Sequence, residues 1–123
     1  NSEVPFIIVQ KDTKVVDGYK NILVPMNLDE DSKQKLAYAR NMALFFGSKI
    51  HLIAQDEDDE YLHNKIIRDI NYSEKYFTDA GVEYEVDVMK PSKNLDPYLD
   101  YAVKKNIDLV VILNQSNSVF NLF

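Results

Sequence analysis

The stretch Tyr19-Lys-Asn-Ile-Leu-Val-Pro-Met-Asn-Leu-Asp-Glu-Asp-Ser32 decides the fold of this chain. It contains a short, continuously apolar run, Ile22 to Met26, which is typical of a strand buried on both faces. A polar, acidic segment follows, and then a helical pattern begins. Strand, polar loop and helix in this order form the first half of a β-α-β unit. In open α/β sheets ligands bind at the carboxyl ends of such strands, so this loop is the first place to look for a site.

The rest of the chain continues the alternation of strands and helices, which predicts an α/β fold with a parallel sheet covered on both faces. A last strand of high hydrophobicity is expected to be central, and strict alternation of apolar and charged residues in the fourth predicts a sheet edge. Strands are predicted at residues 4–9, 21–26, 49–54, 83–89 and 107–113, and helices at about 32–46, 58–80 and 94–105.

The predicted helices carry ordinary start and stop signals. Asp31 and Gln34 have the spacing of a capping box, and Gly47 and Gly81 end the first two helices. Pro97 is tolerable only because it falls in the first turn of the third. The residues predicted to face inward are Leu36, Ala39, Ala43 and Phe46, then Leu62, Ile66, Ile70 and Phe77, and finally Leu95, Leu99, Ala102 and Val103.

Composition narrows the range of functions. The 123 residues amount to one domain, and the net charge of −6, from 14 basic and 20 acidic residues, argues against binding to nucleic acid or to anionic membranes. No apolar run approaches the roughly 20 residues of a membrane-spanning helix, so no membrane insertion is predicted. The absence of cysteine excludes disulfides and thiolate chemistry. Because no targeting signal is visible, the expected location is the cytoplasm.

Individual motifs do not indicate an enzyme. The acidic run Asp56–Glu60 lacks the spaced ligands of a calcium loop and is better explained as a helix start favoured by the helix dipole. His51, in a strand, and His63, on a helix surface, lack the clustered partners of a zinc site and are interpreted as structural. No serine lies in a G-x-S-x-G elbow. Tyr98 and Tyr101 are interpreted as packing residues.

Several local motifs in this framework resemble the universal stress protein family. They are Ile22-Leu-Val-Pro-Met-Asn27, Leu36-Ala-Tyr-Ala39, Gly47-Ser-Lys-Ile-His-Leu-Ile53, Gly81-Val-Glu-Tyr-Glu-Val-Asp-Val88, Leu99-Asp-Tyr-Ala102 and Asp108-Leu-Val-Val111. The resemblance covers about residues 19 to 113. It implies a Rossmann-like, adenine nucleotide alpha hydrolase-like three-layer sandwich with a mainly parallel five-stranded sheet.

The resemblance also implies a tandem arrangement. The family continues beyond the fourth strand through a glycine-rich loop, a helix and a fifth strand, for which residues 114–123 leave too little room, whereas Glu3 to Val9 resembles that fifth strand. The expected organisation is a strand from the end of a preceding repeat (1–10), a linker (11–19) and the second repeat, C-terminally incomplete (20–123). Residues 4–9 would fill the fifth-strand position in their own chain or in a neighbour, because the linker spans up to about 35 Å.

Five positions correspond to the family's nucleotide site: Pro25, Asn27, Ala54, Leu113 and Ser116. Asn27 replaces an acidic residue at the end of the first family strand. Leu113 and Ser116 replace glycines that let backbone N–H groups approach phosphate oxygens. The acidic neighbours at residues 29–31 would repel a polyphosphate. The resemblance therefore predicts a degenerate site, with no cofactor and with ATP and Mg²⁺ as the alternative.

Three functional classes follow. The first is a non-catalytic stress-response domain that acts through association or regulation, pairing by a sheet edge with a second copy or with another repeat of its parent protein. The second is a sensor domain that binds an adenine nucleotide, ATP or AMP. The third is a receiver-like or flavodoxin-like domain, which is disfavoured because Asn27, Ala54 and Met89 at the strand ends do not supply the acidic cluster that a receiver needs.

Overall fold

The computed structural model describes residues 6–10, 18–26, 33–90 and 97–113. Its elements follow the predicted order, with bounds shifted by a few residues. They are β1 (Phe6–Gln10), β2 (Asn21–Pro25), α1 (Lys33–Phe46), β3 (Lys49–Gln55), α2 (Glu60–Ala80), β4 (Tyr84–Met89), α3 (Pro97–Lys104) and β5 (Leu109–Leu113). None of the helices in these described ranges is both long and apolar enough to cross a membrane.

The strands form one sheet in the order β1-β5-β2-β3-β4. β5, β2, β3 and β4 are parallel, which confirms the predicted α/β class with a mainly parallel sheet. β4 lies at an edge, as its alternating pattern predicts. The prediction that β5 is central is wrong, because β2 occupies the centre. β5 is nevertheless paired on both sides, and two-sided pairing is enough to account for its apolar sequence.

The other edge of the sheet is β1, in the place predicted for a strand from residues 4–9. The strand comprises Phe6–Gln10 of the same chain and runs antiparallel to β5, with Phe6 opposite Leu113 and Gln10 opposite Leu109. Because β1 is antiparallel to β5, its last residue lies near the amino ends of β5 and β2. The chain can therefore continue into β2 without a crossover helix.

Helices cover both faces of the sheet and give the predicted three layers. On one face, α1 and α2 enclose the larger core, whose members include Val24, Leu36, Leu52, Ile70, Phe77 and Val111. On the other face, α3 covers a smaller core of Leu23, Ile53, Tyr101, Ala102, Ile107, Val110 and Ile112. Adjacent residues of one strand thus belong to different cores, as the pleat of a strand requires.

The helix signals are mostly confirmed where the structure describes them. The Asp59 carboxylate caps α2 by accepting the Leu62 N–H at 2.9 Å, and Gly81 ends it with a φ of 75°. Pro97 is the first residue of α3. Val103 contradicts its predicted inward position, since 57 % of it is exposed. It follows Tyr101 and Ala102, which contact the sheet, and the helical twist of about 100° per residue carries it outward.

Other predicted helix features lie outside the described residues. These are the Asp31 cap, Leu95 and the side chain of Leu99.

Candidate functional site

The carboxyl end of the sheet is where a ligand is expected in this architecture. Pro25 is the last residue of β2, Ala54 is the penultimate residue of β3, and Leu113 is the last residue of β5. Because these neighbouring strands are parallel, the structure brings three of the five predicted positions together at the carboxyl end of the sheet. Asn27, Ser116 and the side chain of Leu113 lie outside the described residues.

Lys35 is a residue at this end that the sequence analysis missed. It belongs to the first turn of α1, is only 1 % exposed, and its Nζ donates to the Pro25 carbonyl at 2.5 Å. A buried ammonium group costs free energy unless it is paired, and the positive end of a helix dipole raises that cost. The signal was present, because Lys35, Ala39 and Ala43 follow one another at the i, i+4 spacing of the inner face.

A larger polar network, here called the amino-end cluster, consists of Asn21, Lys49, His51, Glu85, Asp87, Tyr101, Lys105 and Asp108. It lies on the α3 side of the sheet, and most of its members are near the amino ends of the strands. A row of three side chains crosses β2, β3 and β4. His51 Nε2 lies 2.9 Å from Asn21 Oδ1, and His51 Nδ1 lies 3.5 Å from Glu85 Oε2.

Glu85 is the electrostatic centre of this cluster. Its Oε1 lies 2.8 Å from Lys49 Nζ, and its Oε2 lies 3.0 Å from Lys105 Nζ. Hydrogen bonds from these two ammonium groups, with Lys49 contributing most, lower the pKa of Glu85 to about 2. The same bond raises the pKa of Lys49. The carboxylate is therefore ionised throughout the neutral range and ties β3 to the end of α3.

Tyr101 connects the cluster to the edge strand. Its hydroxyl donates to Asp87 Oδ2 at 2.7 Å, and burial, together with this bond, raises the pKa of Tyr101. An open groove of about 420 Å³ lies beside it. The groove is lined by Asp87, Val88, Met89, Asp100, Tyr101, Lys104 and Lys105. Since two acidic and two basic residues line it, the groove does not favour one sign of ligand charge.

The turn before β5 is bound to the start of β2. Asp108 Oδ2 accepts the backbone N–H groups of Lys20 and Asn21, both at 2.8 Å. The Asp108 N–H donates in turn to the Asn21 carbonyl at 2.8 Å, and Asn21 Nδ2 donates to the Asn106 carbonyl at 3.4 Å. Asn21 therefore contacts both the turn and His51.

The structure also places the other residues considered from sequence. His51 is buried, whereas His63 is half-exposed and bonds Asp56 at 2.6 Å, which lowers the pKa of Asp56. Tyr101 packs as predicted but also bonds Asp87. On the charged side of β4, Glu85 and Asp87 are half-buried, because Lys105 and the Tyr101 hydroxyl contact these carboxylates. In the described part of the chain, no three His, Cys, Asp or Glu side chains are grouped to hold a metal ion.

An open α/β sheet of order β5-β2-β3-β4, with one helix pair on one face and α3 on the other, is a doubly wound α/β architecture. No family model matches the chain, and no curated protein matches it. Solved structures do match. Protein Rv1636 from Mycobacterium tuberculosis H37Rv shares 19 % identity over 81 % of this chain and 75 % of its own, with a TM-score of 0.63.

Two further structures carry the family name. A universal stress protein from Archaeoglobus fulgidus is 16 % identical over 73 % of this chain and 71 % of its own, with a TM-score of 0.61. A universal stress protein in complex with cAMP is 15 % identical over 77 % and 76 % of the two chains, with a TM-score of 0.62. The fold of this chain is that of the universal stress proteins, which confirms the resemblance at the level of the fold.

Proposed function

We propose that this chain is a universal-stress-protein-like domain with a degenerate nucleotide site, which acts without catalysis in the cytoplasmic stress response through association or regulation. One observation carries the proposal. The chain has three glycines, and none follows Gly81, so the ten residues after β5 contain no glycine. A loop that holds polyphosphate with its backbone N–H groups depends on small residues at that place.

The charges near the carboxyl end support the same proposal. Asp29, Glu30 and Asp31 lie between β2 and α1 in the sequence and oppose a polyanion. Lys35 is the cation at the end of β2, but its ammonium group is buried against the Pro25 carbonyl. Contact between Lys35 and a phosphate would require this buried group to become accessible, so we propose no resident cofactor.

Thermal unfolding with and without millimolar ATP and Mg²⁺ tests the proposal. We expect no shift, whereas a ligand present at 100 times its Kd would add about 2.7 kcal/mol to the free energy of unfolding. A matched triple variant, Asn27→Asp with Leu113→Gly and Ser116→Gly, restores the family residues. A shift in this variant alone would identify these positions as the cause of the loss. A clear shift in the wild-type chain would overturn the proposal.

A second candidate is a sensor domain for an adenine nucleotide. The observation that favours it is the similar universal stress protein solved in complex with cAMP. A ligand with a single phosphate needs fewer backbone donors than ATP and is repelled less by the acidic segment. The same unfolding experiment with AMP and with cAMP distinguishes the two candidates. A shift with either ligand, without one for ATP, would favour the sensor over the association domain.

Association is proposed to use the β1 edge, with a second copy of the chain or with another repeat of a tandem parent protein as the partner. β1 pairs with β5 on one side, and the N–H groups of successive strand residues point alternately toward and away from that neighbour. Of Ile7→Pro and Ile8→Pro, one therefore removes a donor to β5 and the other a donor on the outer side.

Sedimentation and thermal unfolding of both variants test the homodimer. We expect one variant to unfold more easily and the other to keep its stability while losing the dimer. A wild-type chain that stays monomeric at high concentration would contradict pairing between copies.

A further inference from the structure

His51 occupies an unusual position for a titratable group. It lies within β3, is 4 % exposed, and its ring meets the Tyr101 ring edge-on with centroids 6.3 Å apart. Its Nε2 faces Asn21 Oδ1 at 2.9 Å. Its Nδ1 is buried and has no hydrogen-bond partner among the described residues, and Glu85 Oε2 lies 3.5 Å away.

The bonds around the ring favour one tautomer. Because Asn21 Nδ2 donates to the Asn106 carbonyl, Asn21 Oδ1 is left to accept from His51 Nε2. The Nδ1 lone pair then points toward the Glu85 carboxylate, which is also an acceptor. A proton on Nδ1 would give both nitrogens an acceptor, but it would also place a charge in a buried site.

Burial, rather than the neighbouring charges, opposes that proton. Glu85 favours the imidazolium, but it already pairs with Lys49 and Lys105, so a charged His51 would be the third cation around one carboxylate. Asp87, on the same strand, is engaged by the Tyr101 hydroxyl. Burial lowers the pKa of His51 below its ordinary value of 6.5. Glu85 opposes this shift, and the two lysines offset the effect of Glu85 only in part. His51 is therefore neutral at pH 7.

A protonated ring would need to draw Glu85 closer to form a hydrogen bond, since 3.5 Å is too long for one. Glu85 Oε2 is the oxygen that Lys105 holds at 3.0 Å, so the two cations compete for it. Lys105 follows α3 directly, and its N–H bonds the Tyr101 carbonyl at 3.0 Å. Movement of Glu85 toward His51 therefore removes one partner of Lys105 and loosens the end of α3.

We propose that His51 is an acid-sensitive switch: the neutral ring leaves Glu85 paired with Lys105, and the protonated ring takes Glu85 from Lys105 and loosens the end of α3. The switch lies near the amino end of the sheet, whereas a ligand is expected at the carboxyl end. The proposal therefore does not depend on nucleotide binding. Its sign follows from linkage. A histidine that is harder to protonate in the folded state stabilises the fold above pH 6.5, and this stability is lost as the pH falls toward its folded pKa.

The chain contains only two histidines, which makes the test selective. The imidazole protons of both are followed by NMR in the wild-type chain between about pH 8 and pH 5. Amide hydrogen exchange, corrected for its intrinsic pH dependence, is measured in parallel for Lys105 and Ile107, whose N–H groups bond the Tyr101 and Ala102 carbonyls at the turn after α3. The N–H of Val82, bonded to the Phe77 carbonyl on the opposite face, serves as the internal control.

We expect the pKa of His51 to lie below 6.5. On acidification, the protection of the turn amides against exchange should fall about tenfold for each pH unit by which that pKa lies below 6.5. His51→Gln should abolish this loss, whereas His63→Gln should behave as the wild type. The proposal is overturned if His51 titrates at or above 6.5, if Val82 loses as much protection as the turn, or if His51→Gln keeps the pH dependence. The wild-type titration decides the matter even if the variant does not fold.

Discussion

The two ends of the same sheet differ in how they use polar residues. At the carboxyl end, Lys35 bonds the Pro25 carbonyl, and Asp56, which follows β3, pairs with His63. At the amino end, side chains from three strands and from α3 form a connected network around Glu85. Open α/β folds normally concentrate polar chemistry at the carboxyl end. Here the larger polar network among the described residues lies at the other end, where it joins the strands to the end of α3.

This difference has a physical basis in solvent access. Lys35 is fully buried, so its charge is costly and removal of the side chain leaves an acceptor without its donor. Glu85 and its lysines remain partly exposed, so their interactions are screened by water and each is worth less. One bond at the carboxyl end is therefore expected to matter more for stability than any single bond of the larger network.

The largest expected effect is that of Lys35→Ala. It removes the buried aliphatic chain as well as the donor to Pro25, and we expect a loss of about 2–5 kcal/mol in the free energy of unfolding. Lys35→Met keeps most of the volume and should cost less, about 1–3 kcal/mol. Lys75→Ala, which removes an exposed lysine paired with Asp79, is the control and should change stability by about 0.5 kcal/mol or less.

Urea denaturation at pH 7 measures all three variants. If Lys35→Ala lowered the free energy of unfolding no more than Lys75→Ala, the buried bond would contribute no more to stability than an exposed ion pair. The contrast between the two ends would then disappear.

Glu85→Gln is expected to have an intermediate effect at the amino end. We expect a loss of about 1–2 kcal/mol at pH 7, less than the full pKa shift implies, because the carboxylate is partly solvated. A carboxylate with a lowered pKa stabilises the fold above the ordinary value of 4.5, and that stability is lost as the pH falls toward about 2. The variant should thus have a flatter stability profile in this acid range.

Glu83→Gln is the matched control for this variant, because it removes the same charge from an exposed position just before β4. Equal acid profiles for the two variants would show that Glu85 acts only through the net charge of the chain.

The sequence predicts the fold well because the relevant signals are local. Ile22 to Met26, Gly81 and Pro97 each determine the state of their own segment, whatever lies elsewhere. The amino-end cluster could not be predicted in this way. Asn21, His51, Glu85 and Asp108 come from four segments, and their contact depends on the strand order β5-β2-β3-β4. Lys35 was missed for a different reason, since its position on the inner face of α1 was visible but its charge suggested a surface residue.

The smallest expected effect is that of Tyr101→Phe, which removes one hydroxyl and keeps the ring in the smaller core. Because Asp87 is only half-buried and can turn to water, we expect a loss of about 0.5–1.5 kcal/mol. A tyrosine with a raised pKa stabilises the fold below pH 10, and this stability is lost as the pH rises further. Between pH 7 and alkaline pH, the free energy of unfolding of the variant should therefore fall less than that of the wild type. Tyr61→Phe, at an exposed position of α2, should leave both quantities unchanged. An alkaline profile of Tyr101→Phe identical to that of the wild type would mean that the bond to Asp87 does not hold α3 against β4.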